Sequence, residues 1–173
     1  MTDLSTRTIL VALALLLTVH ASRAGEIFPF TDPETGSQTY TLKQGRTVAQ
    51  VSPSTGAHVF SIVVEGIEYL ATPPDWQDFF GVFFGTPVLY PTPNRVRDAR
   101  FTFAGKEYAL PPNFPPHRIH GLVVDADWQV ADTSVTGSSA AIRLMLDFGE
   151  GTTLHENYPF SHQLYLSIEV SSD

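Results

Sequence analysis

Two late stretches of the chain alternate apolar and polar residues without a break. From Ala140, one side-chain set is Ile142, Leu144, Leu146 and Phe148, with Arg143 and Asp147 opposite. From His162, it is Leu164, Leu166, Ile168 and Val170, with Gln163, Ser167 and Glu169 opposite. A period of two sends successive side chains to opposite faces of a sheet, so each stretch predicts a strand with one buried face. The same period predicts strands from Ala57 (His58, Phe60, Ile62, Val64) and from Val124 (Val124, Ala126, Trp128, Val130). His58 and His162 fall in phase with apolar neighbours and are read as strand residues rather than ligands. Phe101–Leu110 reads as a hairpin turning at Ala104–Gly105, the glycine supplying the turn conformation. Turn-forming residues cluster at 32–37, 52–56 and 111–116, in keeping with 13 Pro and 12 Gly in the chain. No 3.6-residue amphipathic stretch follows residue 24. The expected class is all-β and antiparallel.

The N-terminus reads as an address. Arg7 precedes an apolar run from Ile9 to Val19, well short of the roughly 20 residues a spanning helix needs. Ser22 and Ala24 are small residues two apart, as a signal peptidase site requires. Residues 1–24 are therefore expected to be a removable leader, and 25–173 one exported domain in a periplasm or the medium. No membrane association is expected after cleavage. With no Cys, disulfides, thiolate metal sites and a catalytic thiol are excluded. A formal net charge of −8 argues against nucleic acid or an anionic membrane surface as partner. The strand from His162 ends just before Ser-Ser-Asp. It is expected either to sit between earlier strands or to leave an open edge in a domain that is cut short.

Chemistry concentrates between residues 84 and 123. His117 and His120 lie three apart. Their Pro-flanked loop is not a helix, and no third ligand is nearby, so no metal site is expected. Asn94-Arg95 forms a polar group in a Pro-bounded turn, and a hairpin separates it from His120-Gly121. Arg presents a rigid fork of donors and His either donates or accepts. Together they would suit sugar hydroxyls, with Phe80, Phe83, Phe84 or Tyr90 as an apolar wall. The same arginines would also serve at a surface turn, Arg95 and Arg97 pairing with Asp98 and Glu107.

The run GTPVLYPTPNRVRDARFTFAGKEYALPPN, then IHGLV, then YPFSHQLYLSIEV, resembles the aldose 1-epimerase (galactose mutarotase) family from about Gly45 to Val170. The resemblance implies an antiparallel β-supersandwich, of which this stretch is the N-terminal part. It implies that Arg95, with Asn94 beside it, binds substrate. It implies that His120 is an active-site residue that helps hold the sugar near its ring oxygen. The implied reaction interconverts α and β anomers of a free aldose by acid/base ring opening and needs no cofactor or metal. The family's second His, its sugar-gripping Asp and its basic Glu would fall beyond Asp173, and Glu156, Glu169, His155 and His162 do not match them. Three readings follow: an epimerase cut short before its acid and base, a non-catalytic carbohydrate-binding or vestigial module, and half of an enzyme completed by a second polypeptide. A sugar-phosphate substrate is disfavoured, because the only basic cluster is Arg95, Arg97 and Arg100.

Overall fold

The computed structural model describes residues 24–71 and 84–172. The expected leader, Ala24 apart, and two wall residues, Phe80 and Phe83, lie outside the described residues. Among the described residues, ten strands run in chain order: β1 Glu26–Thr31, β2 Gln38–Gln44, β3 Thr47–Ser52, β4 His58–Val64, β5 Ile67–Glu68, β6 Arg100–Phe103, β7 Lys106–Ala109, β8 Gln129–Val135, β9 Ser139–Asp147 and β10 Gln163–Ser171. A short helix, α1, spans Thr153–Asn157. All ladders are antiparallel, and they form three sheets ordered β1-β2-β3-β4-β5, β10-β9-β8 and β6-β7.

β1, β2 and β3 carry little alternation in sequence, yet their register is well defined. Leu42 opposes both Ile27 and Ala49, so these three share the inner face. The turn from β1 to β2 is set by Asp32, whose Oδ1 accepts the N–H groups of Glu34 (2.8 Å) and Thr35 (2.9 Å). β9 packs across β1 and β2, and β10 across β2 and β3. The core between the two larger sheets holds Leu42, Val51, Val123, Ile142, Leu144 and Phe148, all fully or almost fully buried. The inward residues of β9 are the alternating set read from the sequence.

One expectation is corrected. The segment from Val124 is not a strand until Gln129. Trp128 is buried and Asp125 and Asp127 are exposed, as alternation required. The backbone bonds, however, go elsewhere: Trp128 N–H donates to the Pro53 carbonyl and Gly56 N–H to that of Ala126. The segment straps the turn before β4 instead of entering a ladder. For the last strand, β10, two positions were open, between earlier strands or at an edge. Among the described residues it lies at the edge of its sheet.

Candidate functional site

The segments 90–96 and 118–122 cross side by side. Val96 and Arg118 form an antiparallel bridge, Val96 N–H donating to Arg118 O at 2.7 Å and Arg118 N–H to Val96 O at 3.2 Å. Further along, Leu122 N–H donates to Tyr90 O at 2.7 Å. This pairing holds Asn94 and Arg95 alongside Ile119 and His120. The approach is closest at Gly121, where a Cβ would stand 2.1 Å from the Tyr90 carbonyl oxygen. Only glycine fits there, and its φ of +74° also favours glycine.

His120 itself has φ +64°, which an L-residue with a large side chain rarely adopts. Two neighbours hold it. The Asn113 amide acts as a substitute strand, its Nδ2 donating to Ile119 O (2.9 Å) and its Oδ1 accepting Ile119 N–H (2.8 Å). Arg118 donates through Nε to Gly121 O (2.5 Å) and through Nη1 to Pro111 O (3.1 Å). Residues on both sides of the half-buried His120 are thus fixed. Strain of this kind costs about 1–3 kcal/mol and persists where the surroundings over-determine it. Asn113 and Arg118 were not singled out from the sequence. Their signal was a polar residue within the Pro-rich loop, Asn113, and a second just after it, Arg118.

Asn94 and Arg95 are exposed. Asn94 Oδ1 accepts Arg95 N–H at 2.7 Å, and the Arg95 guanidinium lies 5.3 Å from the centre of the Phe114 ring. The surface ion pairs expected for Arg95 and Arg97 are replaced by others. Glu107 pairs with Arg100 at 2.6 Å, because the two lie diagonally across the β6–β7 hairpin on one face, Arg100 opposing Ala109 and Glu107 opposing Thr102. Asp98 N–H donates to His117 Nδ1 at 3.0 Å, which commits that histidine to the loop. Among the described residues, no group of three or more His, Cys, Asp or Glu converges as a metal site would require.

Beside the crossing lies a cleft of about 390 Å³ lined by Tyr90, Phe101, Thr102, Phe103, Tyr158, Phe160 and His162. Tyr90 thus forms part of the expected apolar wall, whereas Phe84 is not among the described lining residues. The rest of the wall comes from the hairpin and the Tyr-Pro-Phe segment: Phe103 and Phe160 meet edge to face at 5.4 Å. His162 precedes β10 by one residue and faces this cleft. Its ring stacks on Phe148, with centroids 4.4 Å apart. The Phe160 carbonyl can only accept, so His162 Nδ1 carries the proton and donates at 2.5 Å. In the neutral ring, Nε2 then accepts from the Tyr90 hydroxyl at 2.9 Å. Burial, with a smaller contribution from Tyr158, pushes the Tyr90 hydroxyl above the ordinary phenol range, so it remains a donor at neutral pH.

His58 is buried within β4, as the sequence indicated. Its Nε2 lies 3.1 Å from the Val124 carbonyl, which ties β4 to the strap that follows Gly121. Burial pulls its pKa down, outweighing the hydrogen bonds with Val124 and Phe84.

Facing antiparallel sheets packed over one core make this a β-sandwich protein. A galactose mutarotase-like protein from Clostridium acetobutylicum superposes with a TM-score of 0.77 at 25% identity, over 85% of this chain and 46% of that one. Galactose 1-epimerase from Lactobacillus acidophilus superposes with a TM-score of 0.65 at 19% identity, over 85% of this chain and 44% of that one. The chain belongs to the aldose 1-epimerase family, whose model matches residues 38–173. It is also 32% identical to the uncharacterised protein YihR of Escherichia coli K12 over 89 residues, 49% of this chain and 29% of that protein. The chain spans less than half the length of these relatives.

Proposed function

We propose that this chain binds free aldoses of the glucose or galactose type and serves in an aldose 1-epimerase, with Arg95, Asn94 and His120 as its sugar-binding residues. The observation that carries this reading is the Val96–Arg118 bridge, which holds Asn94-Arg95 alongside His120 in a chain of this family. Arg95 offers charge-assisted hydrogen bonds to hydroxyls. His120 serves the ring-oxygen side. The aromatic cleft offers flat apolar surface to the C–H face of a pyranose.

Interconversion requires a base to take the proton of the anomeric hydroxyl while an acid protonates the ring oxygen. The opened aldehyde rotates and recloses on its other face. The described lining of the cleft holds no carboxylate, and under this reading the general base is supplied from outside that lining. The leader read at residues 1–24 supports export to a periplasm or the medium, and retention of Met1 in the exported product would refute cleavage.

The test is titration of the purified chain with galactose and glucose, followed by NMR. Saturable binding is expected, with Arg95→Ala weakening it about tenfold or more, the scale of a lost hydrogen bond to a charged group. Binding that is absent, or indifferent to both Arg95→Ala and His120→Ala, overturns the site. A second reading, a carbohydrate-binding module without turnover, is favoured by the same lack of a carboxylate. Polarimetry of fresh α-glucose separates the two: acceleration lost in His120→Ala supports the epimerase, and binding without acceleration by any preparation supports the module.

A further inference from the structure

We propose that Phe114 is a positioning residue for Arg95: its ring, carried on a clamped turn, keeps the guanidinium in one place with its N–H donors open to sugar hydroxyls. The inference rests on the sugar-binding role given to Arg95 above. Phe114 is 55% exposed in the Pro-rich loop, so burial does not hold its ring. The turn beneath it does. Phe114 N–H donates to His117 O at 3.0 Å and His117 N–H to Phe114 O at 2.8 Å, closing a turn around Pro115 and Pro116. Both prolines have a ring-locked φ, so few other shapes are open to it. The turn is fastened on either side. Asn113 clasps Ile119, the residue before His120, and His117 Nδ1 accepts the N–H of Asp98, three residues after Arg95. The base of Phe114 is therefore tied to both segments that carry Arg95 and His120.

The Arg95 guanidinium lies 5.3 Å from the centre of that ring, inside the ~6 Å over which a ring face attracts a cation. Among the described residues the guanidinium meets no carboxylate and donates no hydrogen bond. A carboxylate would hold the arginine by its donors. A phenyl ring has no acceptor oxygen and attracts the charge through its quadrupole, so the fork of donors stays available. An exposed arginine loses rotamer freedom when it grips a ligand. One already resting on a clamped ring loses less, which favours binding. An aliphatic side chain at position 114 would offer apolar surface without the quadrupole, so the role calls for an aromatic ring.

The test has two readouts on the purified chain. The first needs no sugar: the side-chain NMR resonances of Arg95 feel the ring current of Phe114. They are expected to move in Phe114→Leu and to remain displaced in Phe114→Trp. Resonances that do not move in Phe114→Leu overturn the contact. The second is titration with galactose. Phe114→Leu is expected to weaken binding about two- to fivefold, the scale of an exposed cation–π contact, and Phe114→Trp to retain it. In an Arg95→Ala background, Phe114→Leu is expected to change nothing further, because a positioning residue acts through the group it positions. Equal weakening by Leu and Trp, full affinity in Phe114→Leu, or the same loss with and without Arg95 overturns the positioning role. Failure of the unaltered chain to bind galactose overturns the sugar reading instead, and the Arg95 resonances then decide the contact alone.

Discussion

Gly121→Ala tests whether the crossing of 90–96 with 118–122 depends on close backbone approach. The added Cβ would stand 2.1 Å from Tyr90 O, 2.5 Å from its carbonyl carbon and 2.8 Å from its nitrogen. These are backbone atoms and cannot swing aside. The left-handed φ costs an L-residue about 1–2 kcal/mol. Opening the crossing loses the Leu122–Tyr90 hydrogen bond, about 1 kcal/mol. It also lifts part of the buried Leu122 and Val123 from the core, each worth about 1.5–3 kcal/mol when fully buried. The expected loss is about 3–5 kcal/mol. Gly105→Ala is the internal control, since Gly105 has φ +77° with nothing within 4 Å of its would-be Cβ. It bears only the conformational cost, about 1–2 kcal/mol. Urea unfolding followed by circular dichroism measures both variants. Equal losses would refute the argument that close approach constrains this crossing.

Three further outcomes are expected. Leu144→Ala, at a fully buried position, should cost about 2–5 kcal/mol by urea denaturation, and a loss under 1 kcal/mol would show that the core collapses around it. His58 has a lowered folded-state pKa, so the unfolded chain takes up the proton first: stability should fall as pH drops below about 6.5 and level off below the folded value. His58→Gln should flatten that part of the pH–stability curve, and an unchanged slope would count against the assignment. Tyr90→Phe removes the hydroxyl that donates to His162 and should cost about 1 kcal/mol, with the His162 ring resonances moving in NMR. Unmoved resonances would show that the pair is not formed.

What was legible in the sequence was whatever alternates around one buried face. β4, β9, β10 and the β6–β7 hairpin were read to within a residue or two, because their inward residues are almost all apolar. β1 to β3 were missed because Thr, Gln and Lys intrude and Gln44 is itself buried. At Val124–Trp128 the alternation was real and the inference from it wrong: burial follows side chains, whereas a strand also needs a ladder, and these amides bond to a turn. The nearness of Asn94, Arg95 and His120 followed from a motif in one continuous run. The aromatic cleft did not, because it joins Tyr90, the hairpin and His162 across some seventy residues of chain, and no local pattern reports such a meeting.

The two larger sheets have a kinetic consequence. Each is a meander in which every strand bonds to its neighbours in sequence, so both can form from local contacts. The crossing closes a longer loop and waits for the hairpin between its halves. Interactions made after the folding barrier appear in the unfolding rate. Damage at Gly121 or Asn113 should therefore shorten the lifetime of the folded chain while leaving its rate of formation almost unchanged. The polar group that would hold a sugar then assembles after the meanders themselves.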